Sequence, residues 1–257
     1  MVSLEHQREV ALKILTFNKL KFNLYIEFDD VVKKPEDLID IGAFLEPYAQ
    51  KHGINFFSIN DNDGMFTIRN ELLPKLLQIF LHYSPTKFEK LSALLLNCFN
   101  YNNYFITKRT HDQGIDLIAY SDHFKTFFNI NSSYRHYIFG QCKKYMKHYV
   151  NTKDIQNLWG SMEMFRSRTF SLKDPSKVYS EFSLKKYTPT HLIFSSGYFF
   201  SEDALTLCDN SDIITLDIID ITIIILKNLH KLNLIKKNGS LNHRQIDSLL
   251  NNVKIKK

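Results

Sequence analysis

The sequence predicts an α/β fold, a mixed sheet flanked by helices, preceded by a small α+β domain. Three observations carry this. From residue 85 onward, segments of helical and strand periodicity alternate, the pattern of helices packed on a sheet. In the first 83 residues, two alternating segments flank Asp61-Asn62-Asp63-Gly64, a strong hairpin signal set between helical stretches. Finally, 257 residues that are 44% hydrophobic, with 21 Phe and 13 Tyr, supply a large core and exclude a disordered or collagen-like chain.

In the first domain, residues 1–83, positions 3–16 read as a helix and Leu24 to Phe28 as a short strand. Residues 36–51, EDLIDIGAFLEPYAQK, place Leu38, Ile41, Leu45 and Tyr48 near helical spacing, with Pro47 expected to disturb the turn before it. The hairpin follows, then a helix at 71–82. This order is compatible with a small winged-helix-like module. Its role stays open between reading nucleic acid and dimerisation, regulation or simple structural support.

The second domain, 84–257, opens at a capped helix. Ser84 is the cap, Pro85 suits the first helical position, and Tyr83 can pack on Phe88 as a staple. Phe88, Leu91, Leu95 and Cys98 or Phe99 form the apolar stripe, with Glu89 at its margin. Strands follow at Tyr104 to Lys108 and Ile115 to Tyr120, separated by a turn at Asp112-Gln113-Gly114. Then come a strand at Tyr137 to Cys142, a helix at Thr152 to Phe165, a strand at His191 to Ser195 and a helix at Glu202 to Cys208. Trp159 is expected in the core with Ile155, Leu158 and Met162. Gly239-Ser240 leads into LNHRQIDSLLNNV, a capped helix in a C-terminal helical extension.

The charge is uneven. Residues 1–84 hold 9 basic and 12 acidic residues, a net of −3, so the remaining 24 basic and 15 acidic give +9. That excess suits a polyanion better than an acidic small molecule, although lysines also simply solvate surfaces. No GxGxxG or GxxxxGK[ST] occurs, which disfavours those nucleotide-binding enzymes. None of the ten His makes HExxH or another convincing zinc spacing, and Cys98, Cys142 and Cys208 are too far apart for a CxxC site. We expect buried free thiols in a reducing, cytoplasmic compartment. The start lacks a secretory hydrophobic core, and the apolar run from Ile213 to Leu229 is interrupted by Asp217 and Asp220, so no membrane partner is expected.

One constellation has chemical content. Asp116 lies in GIDLIAY, while Gln141-Cys142-Lys143 ends the strand HYIFG. Strand alternation points Gln141 and Lys143 together and Cys142 into the opposite layer. Asp116 can coordinate a hard cation, the Gln141 amide oxygen can add a neutral ligand, and Lys143 can orient or deprotonate a water. Magnesium with such ligands keeps several waters and takes a phosphate oxygen, and Glu89 or that phosphate must complete the site.

The stretch SPTKFEKLSALLLNCFNYNNYFITKRTHDQGIDLIAY, then YIFGQCKKY with NTKDIQNLWGSM, and finally HLIFSSGYFFSEDALTLC, closely resembles the catalytic domain of the Mrr-like restriction endonucleases, in the PD-(D/E)xK nuclease superfamily. The resemblance spans roughly residues 84–226 and implies a restriction-endonuclease-like mixed sheet. It implies Asp116 as the metal-binding aspartate, Gln141 at a position where this branch often carries Gln instead of Glu, Lys143 as the catalytic lysine, and Glu89 as the first-helix glutamate near the metal. Ser195 and Ser196 fall where the family has Thr residues, for the fold or a phosphate contact. The activity implied is magnesium-dependent hydrolysis of DNA phosphodiester bonds, with Mn2+ able to substitute, leaving 5′-phosphate and 3′-hydroxyl ends.

Two segments depart from compact members. About 20 residues separate Tyr120 from the QxK block, with Asp122, His123 and Arg135 among them. The segment 166–190 carries Arg166, Arg168, Lys173, Lys177, Lys185 and Lys186, which can track a DNA backbone or form an exposed excursion. Lys144 and Lys147, beside Tyr145 and Tyr149, are further candidates for contacts to double-stranded DNA. A homodimer suits the cutting of both strands. The alternatives are a non-catalytic DNA-binding or regulatory protein on a nuclease-like fold, and a structure-specific nuclease.

Overall fold

The computed structural model describes residues 4–17, 19–60, 62–101, 103–107, 114–127, 130–167 and 188–255. The chain divides into two compact units, Met1–His82 with Thr222–Leu229, and Tyr83–Ile221 with His230–Lys257.

In the first unit, α1 (Leu4–Leu15), β1 (Lys21–Asn23), α2 (Leu24–Glu27), α3 (Pro35–His52), β2 (Phe57–Asn60), β3 (Met65–Ile68) and α4 (Leu72–Leu81) follow in order. The strands form an antiparallel sheet in the order β1-β3-β2. The hairpin signal is borne out: Asn60 pairs with Met65 across the loop. The strand expected at Leu24 to Phe28 is a helical turn instead. Asn23 accepts from the Tyr25 amide at 2.9 Å and the Phe28 amide closes on the Leu24 carbonyl at 3.0 Å, so a local cap decides a segment whose apolar pattern fits either structure. Pro47 is accommodated inside α3, which continues to His52. Phe22, Phe57 and Phe66 stack in the core.

The second unit contains α5 (Pro85–Cys98), β4 (Asn103–Ile106), β5 (Leu117–Phe127), β6 (Ile130–Lys143), α6 (Thr152–Ser167), β7 (Thr190–Ser196), α7 (Glu202–Asn210), β8 (Ile213–Leu216), the first residues of α8 (Ile218–Lys227) and α9 (His243–Asn252). The Ser84 cap is as expected, its side chain accepting from the Lys87 amide. The five-stranded sheet runs β4-β5-β6-β7-β8, antiparallel through β6 and parallel from β6 to β8. Helix α5 packs on β4, β5 and β6, while α6 and α7 cover a core that includes Ile118, Tyr137, Phe139, Leu158, Met162 and Phe194. This is the mixed α/β architecture anticipated from the sequence.

Three expectations change. The long connection after Tyr120 is mostly paired strand: β5 and β6 stay in register from Leu117↔Gly140 to Phe127↔Ile130, whereas β4 pairs only as far as Tyr120 and β7 pairs only from Tyr137 onward. Trp159 is 45% exposed rather than core. The buried stripe of α6 runs through Ile155, Leu158, Met162 and Phe165, which turns Trp159 to its margin. Cys98 is only partly buried, unlike Cys142 and Cys208, and all three are free.

The apolar run 213–229 breaks into β8 and α8. Asp217 Oδ1 accepts from the amides of Ile219 and Asp220 at 2.9 and 3.0 Å, and Asp220 Oδ2 accepts from the Asp217 amide at 3.3 Å. The two acids therefore build a reciprocal helix start. Among the described residues, no helix is long and apolar enough to cross a membrane.

Candidate active site

Asp116 stands just before β5, opposite the end of β6. Its amide donates to the Gly140 carbonyl at 2.8 Å and its carbonyl accepts from the Thr107 amide at 3.0 Å, so its backbone is tied on both sides. Its carboxylate Oδ2 accepts a 2.7 Å bond from the Cys142 amide. Leu117 pairs with Gly140, and the Asp116 amide bonds to that same Gly140, the residue before Gln141 on β6.

Gln141 is 5% exposed, and its Oε1 is buried without a hydrogen-bond partner. A buried amide oxygen left unpaired is costly unless something outside the chain takes it up. Gly114 shapes this place. Its φ is +91°, and a Cβ there would lie 2.7 Å from Ser161 Oγ and 3.6 Å from Gln141 Nε2. Only a residue without a side chain fits both the backbone and the space.

Lys143, half-buried, ends β6 on the same face as Gln141. Cys142 points the other way and reports which charges gather here. Burial pushes its thiol well above the ordinary value, the Asp116 carboxylate adds to that, Ser92 opposes it, Glu89 raises it further and Lys143 lowers it. Asp116, Glu89 and Lys143 are thus all within electrostatic reach of one sulfur, although Glu89 comes from α5. Ser195, in register with Cys142, is fully buried with its hydroxyl unpartnered, and Ser196 Oγ accepts from the Tyr198 amide at 3.1 Å.

Among the described residues, no group of three or more His, Cys, Asp and Glu side chains is gathered for a metal ion. The donors present are carboxylate and amide oxygens, and the orphaned Gln141 oxygen is the feature that fits a cation. Such a set suits a hard ion that keeps most of its water, not zinc.

The expected DNA contacts are placed variously. Lys147 is exposed in the loop after β6. Arg166, on the last turn of α6, bonds Thr190 and approaches Glu163 at 3.6 Å. Lys144, expected at the surface, instead buries its ammonium. Tyr145 donates to Asp154 at 3.1 Å, a structural use of its hydroxyl. Arg168, Lys173, Lys177, Lys185 and Lys186 lie outside the described residues, as do Asp61 and Asp112.

Sequence reading did not single out a cavity of about 760 Å3 lined by Trp159, Arg166, His191, Asp209 and Asp212. It lies where β7 begins, whereas Lys143 pairs with Ser196 where β7 ends, roughly 20 Å along a seven-residue strand. Of its lining residues, the sequence pointed to Trp159 as core and to Arg166 as a DNA contact, neither as a cavity wall.

Comparison with known proteins gives one family match: residues 80–172 match the restriction endonuclease family Mrr_cat. That stretch contains Glu89, Asp116, Gln141 and Lys143, and bears out the family named from the sequence. No curated protein matches. Among solved structures, similarity is found to the DNA modification-dependent restriction endonuclease AspBHI, with 12% identity, TM-score 0.45, and coverage of 70% of this chain and 38% of that one. A second is the MspJI restriction endonuclease in complex with a 27-mer oligonucleotide, with 11% identity, TM-score 0.38, and coverage of 69% and 38%. The chain therefore matches well under half the length of either neighbour.

Proposed function

We propose that the second unit is a metal-dependent DNA endonuclease that hydrolyses phosphodiester bonds in the restriction of foreign DNA. One observation carries this reading: the Cys142 amide holds the Asp116 carboxylate at 2.7 Å, next in sequence to Gln141 with its buried, partnerless oxygen, at the end of the strand that closes on Lys143. The family match over the same residues supports it.

Asp116 and Gln141 would hold Mg2+, or Mn2+ in its place, with Glu89 approaching directly or through water. A bound ion of this kind stabilises charge developing on the phosphate and lowers the pKa of its water. Lys143 supplies a cation on the Gln141 side of the sheet, where it orients the attacking water and opposes phosphate charge. Lys147, Arg166 and the basic residues 168–186 would track the DNA backbone, giving affinity without a sequence code. A homodimer would bring two such sites to the two strands of a duplex.

A second reading is favoured by one feature, the neutral Gln141 in a donor set with few carboxylates. It is a non-catalytic DNA-binding or regulatory protein that retains the nuclease fold. Incubation of the purified chain with modified duplexes, unmodified duplexes and branched DNA, with Mg2+ or Mn2+, tests both. Cleavage of a duplex that EDTA stops supports the endonuclease, and cleavage confined to branched DNA makes it structure-specific. Tight binding with no cleavage across the panel favours the second reading.

A further inference from the structure

Lys144 follows the candidate-site lysine just past the end of β6, and its side chain lies against Phe88 of α5. Its Nζ is buried, makes no hydrogen bond, and lies 5.5 Å from the Phe88 ring centroid. A ring face returns only part of the hydration an ammonium gives up. Gly197 makes the space, since a Cβ there would sit 2.6 Å from Lys144 Cδ and 3.1 Å from its Nζ. Gly197 is itself tied down, its amide donating to the Lys143 carbonyl at 2.8 Å.

Burial pushes the Lys144 pKa down to about 8. An ammonium stored this way weakens the free fold, so its presence points to a partner outside the chain. The residue as a whole is only half-buried, and its flexible four-carbon stem can carry the charge from the Phe88 niche to the surface.

We propose that Lys144 is the charged group of a phosphate subsite distinct from Lys143, its ammonium leaving Phe88 to pair with a phosphate oxyanion. The oxyanion is either a backbone phosphate of bound DNA or free phosphate. Only the DNA arm rests on the nuclease reading.

The test uses Lys144→Met in the full chain, which keeps the stem and removes the charge. Thermal unfolding is followed in sodium phosphate and in sodium chloride of equal ionic strength, and duplex binding is measured across a salt series. Lys144→Met should melt higher than the unchanged protein in chloride, lose the rise in Tm that phosphate gives, and lower the salt slope of DNA binding by about 0.9, one phosphate contact. Gly197→Ala, whose Cβ evicts the same side chain but keeps its charge, should retain the phosphate response. A phosphate response that Lys144→Met loses and Gly197→Ala keeps, with no change in DNA slope, assigns the subsite to free phosphate. If the chain binds no DNA but Lys144→Met still abolishes the phosphate response, the subsite stands and the nuclease reading falls. A Lys144→Met protein that melts lower in chloride, or responds to phosphate as the unchanged protein does, overturns the proposal, as does loss of the response in folded Gly197→Ala.

Discussion

The Cys142 amide donates a 2.7 Å hydrogen bond to the carboxylate of Asp116, across 26 residues of sequence. One bond thus joins the two halves of the candidate motif. It uses a backbone donor at the end of β6 on a side chain instead of another strand, and fixes the carboxylate where Gln141 and Lys143 emerge. The middle residue of the QxK block, chemically silent in the sequence, orients the acid through its backbone.

Asp116→Asn should keep an acceptor for that amide while removing the charge, so the fold persists and Mg2+ affinity measured by calorimetry drops. Asp116→Ala should also cost about 1–3 kcal/mol of stability, because the amide loses its partner. Lys143→Ala should lower the cleavage rate by roughly 10²–10³-fold, the usual effect of deleting one positioned transition-state donor, with little loss of DNA affinity. Lys143→Ala cleaving a confirmed substrate at the unchanged rate removes the lysine from the mechanism.

Gly114→Ala should damage the site without touching a charged residue. A side chain at φ +91° strains the backbone by about 1–3 kcal/mol and presses on Ser161 Oγ, beside the Gln141 amide. Unfolding curves and metal titration on the same preparation check this. Unaltered metal affinity together with lowered stability would separate Gly114 from Gln141 placement.

Replacing Arg166, Arg168, Lys173 and Lys177 together should weaken DNA binding at every sequence tested. The salt slope should fall by about 0.9 for each backbone phosphate that is no longer neutralised. Arg166 should contribute least, because Glu163 and Thr190 already engage it. An unchanged slope assigns this segment to another role.

The thiols predict a loss of stability in alkali. Burial raises Cys98 to about 11 and Cys208 to about 12, and Cys142 well above its ordinary value. An unfolded thiol ionises near pH 8.5. Between that pH and the folded values the unfolded chain holds fewer protons, so stability is full below about pH 8.5 and falls as pH rises. Denaturant melts at pH 7, 9 and 10 should show the fall, and Cys142→Ala with Cys208→Ala should reduce its slope. Native Cys142 should also resist alkylation that the unfolded chain undergoes readily.

What the sequence determined by itself was local or periodic. Ser84 and Pro85 started α5 because a cap and a fixed φ act within one turn of chain. Asp61 to Gly64 set the hairpin, and alternation through HYIFGQCK set which of Gln141, Cys142 and Lys143 share a face. These follow from bonds and torsions that neighbouring residues define. The tertiary structure decided everything that depended on a partner far along the chain. Trp159 carries a core residue's chemistry, but the phase of the α6 stripe left it outside. Asp217 and Asp220 looked like interruptions of an apolar run until their side chains closed on the amides that begin α8. Lys144 resembles any surface lysine in sequence, yet Phe88 from α5 and Gly197 from beyond β7 form the niche that desolvates it. Burial and electrostatic reach are sums over neighbours brought together by folding, and no local pattern of residues contains that sum.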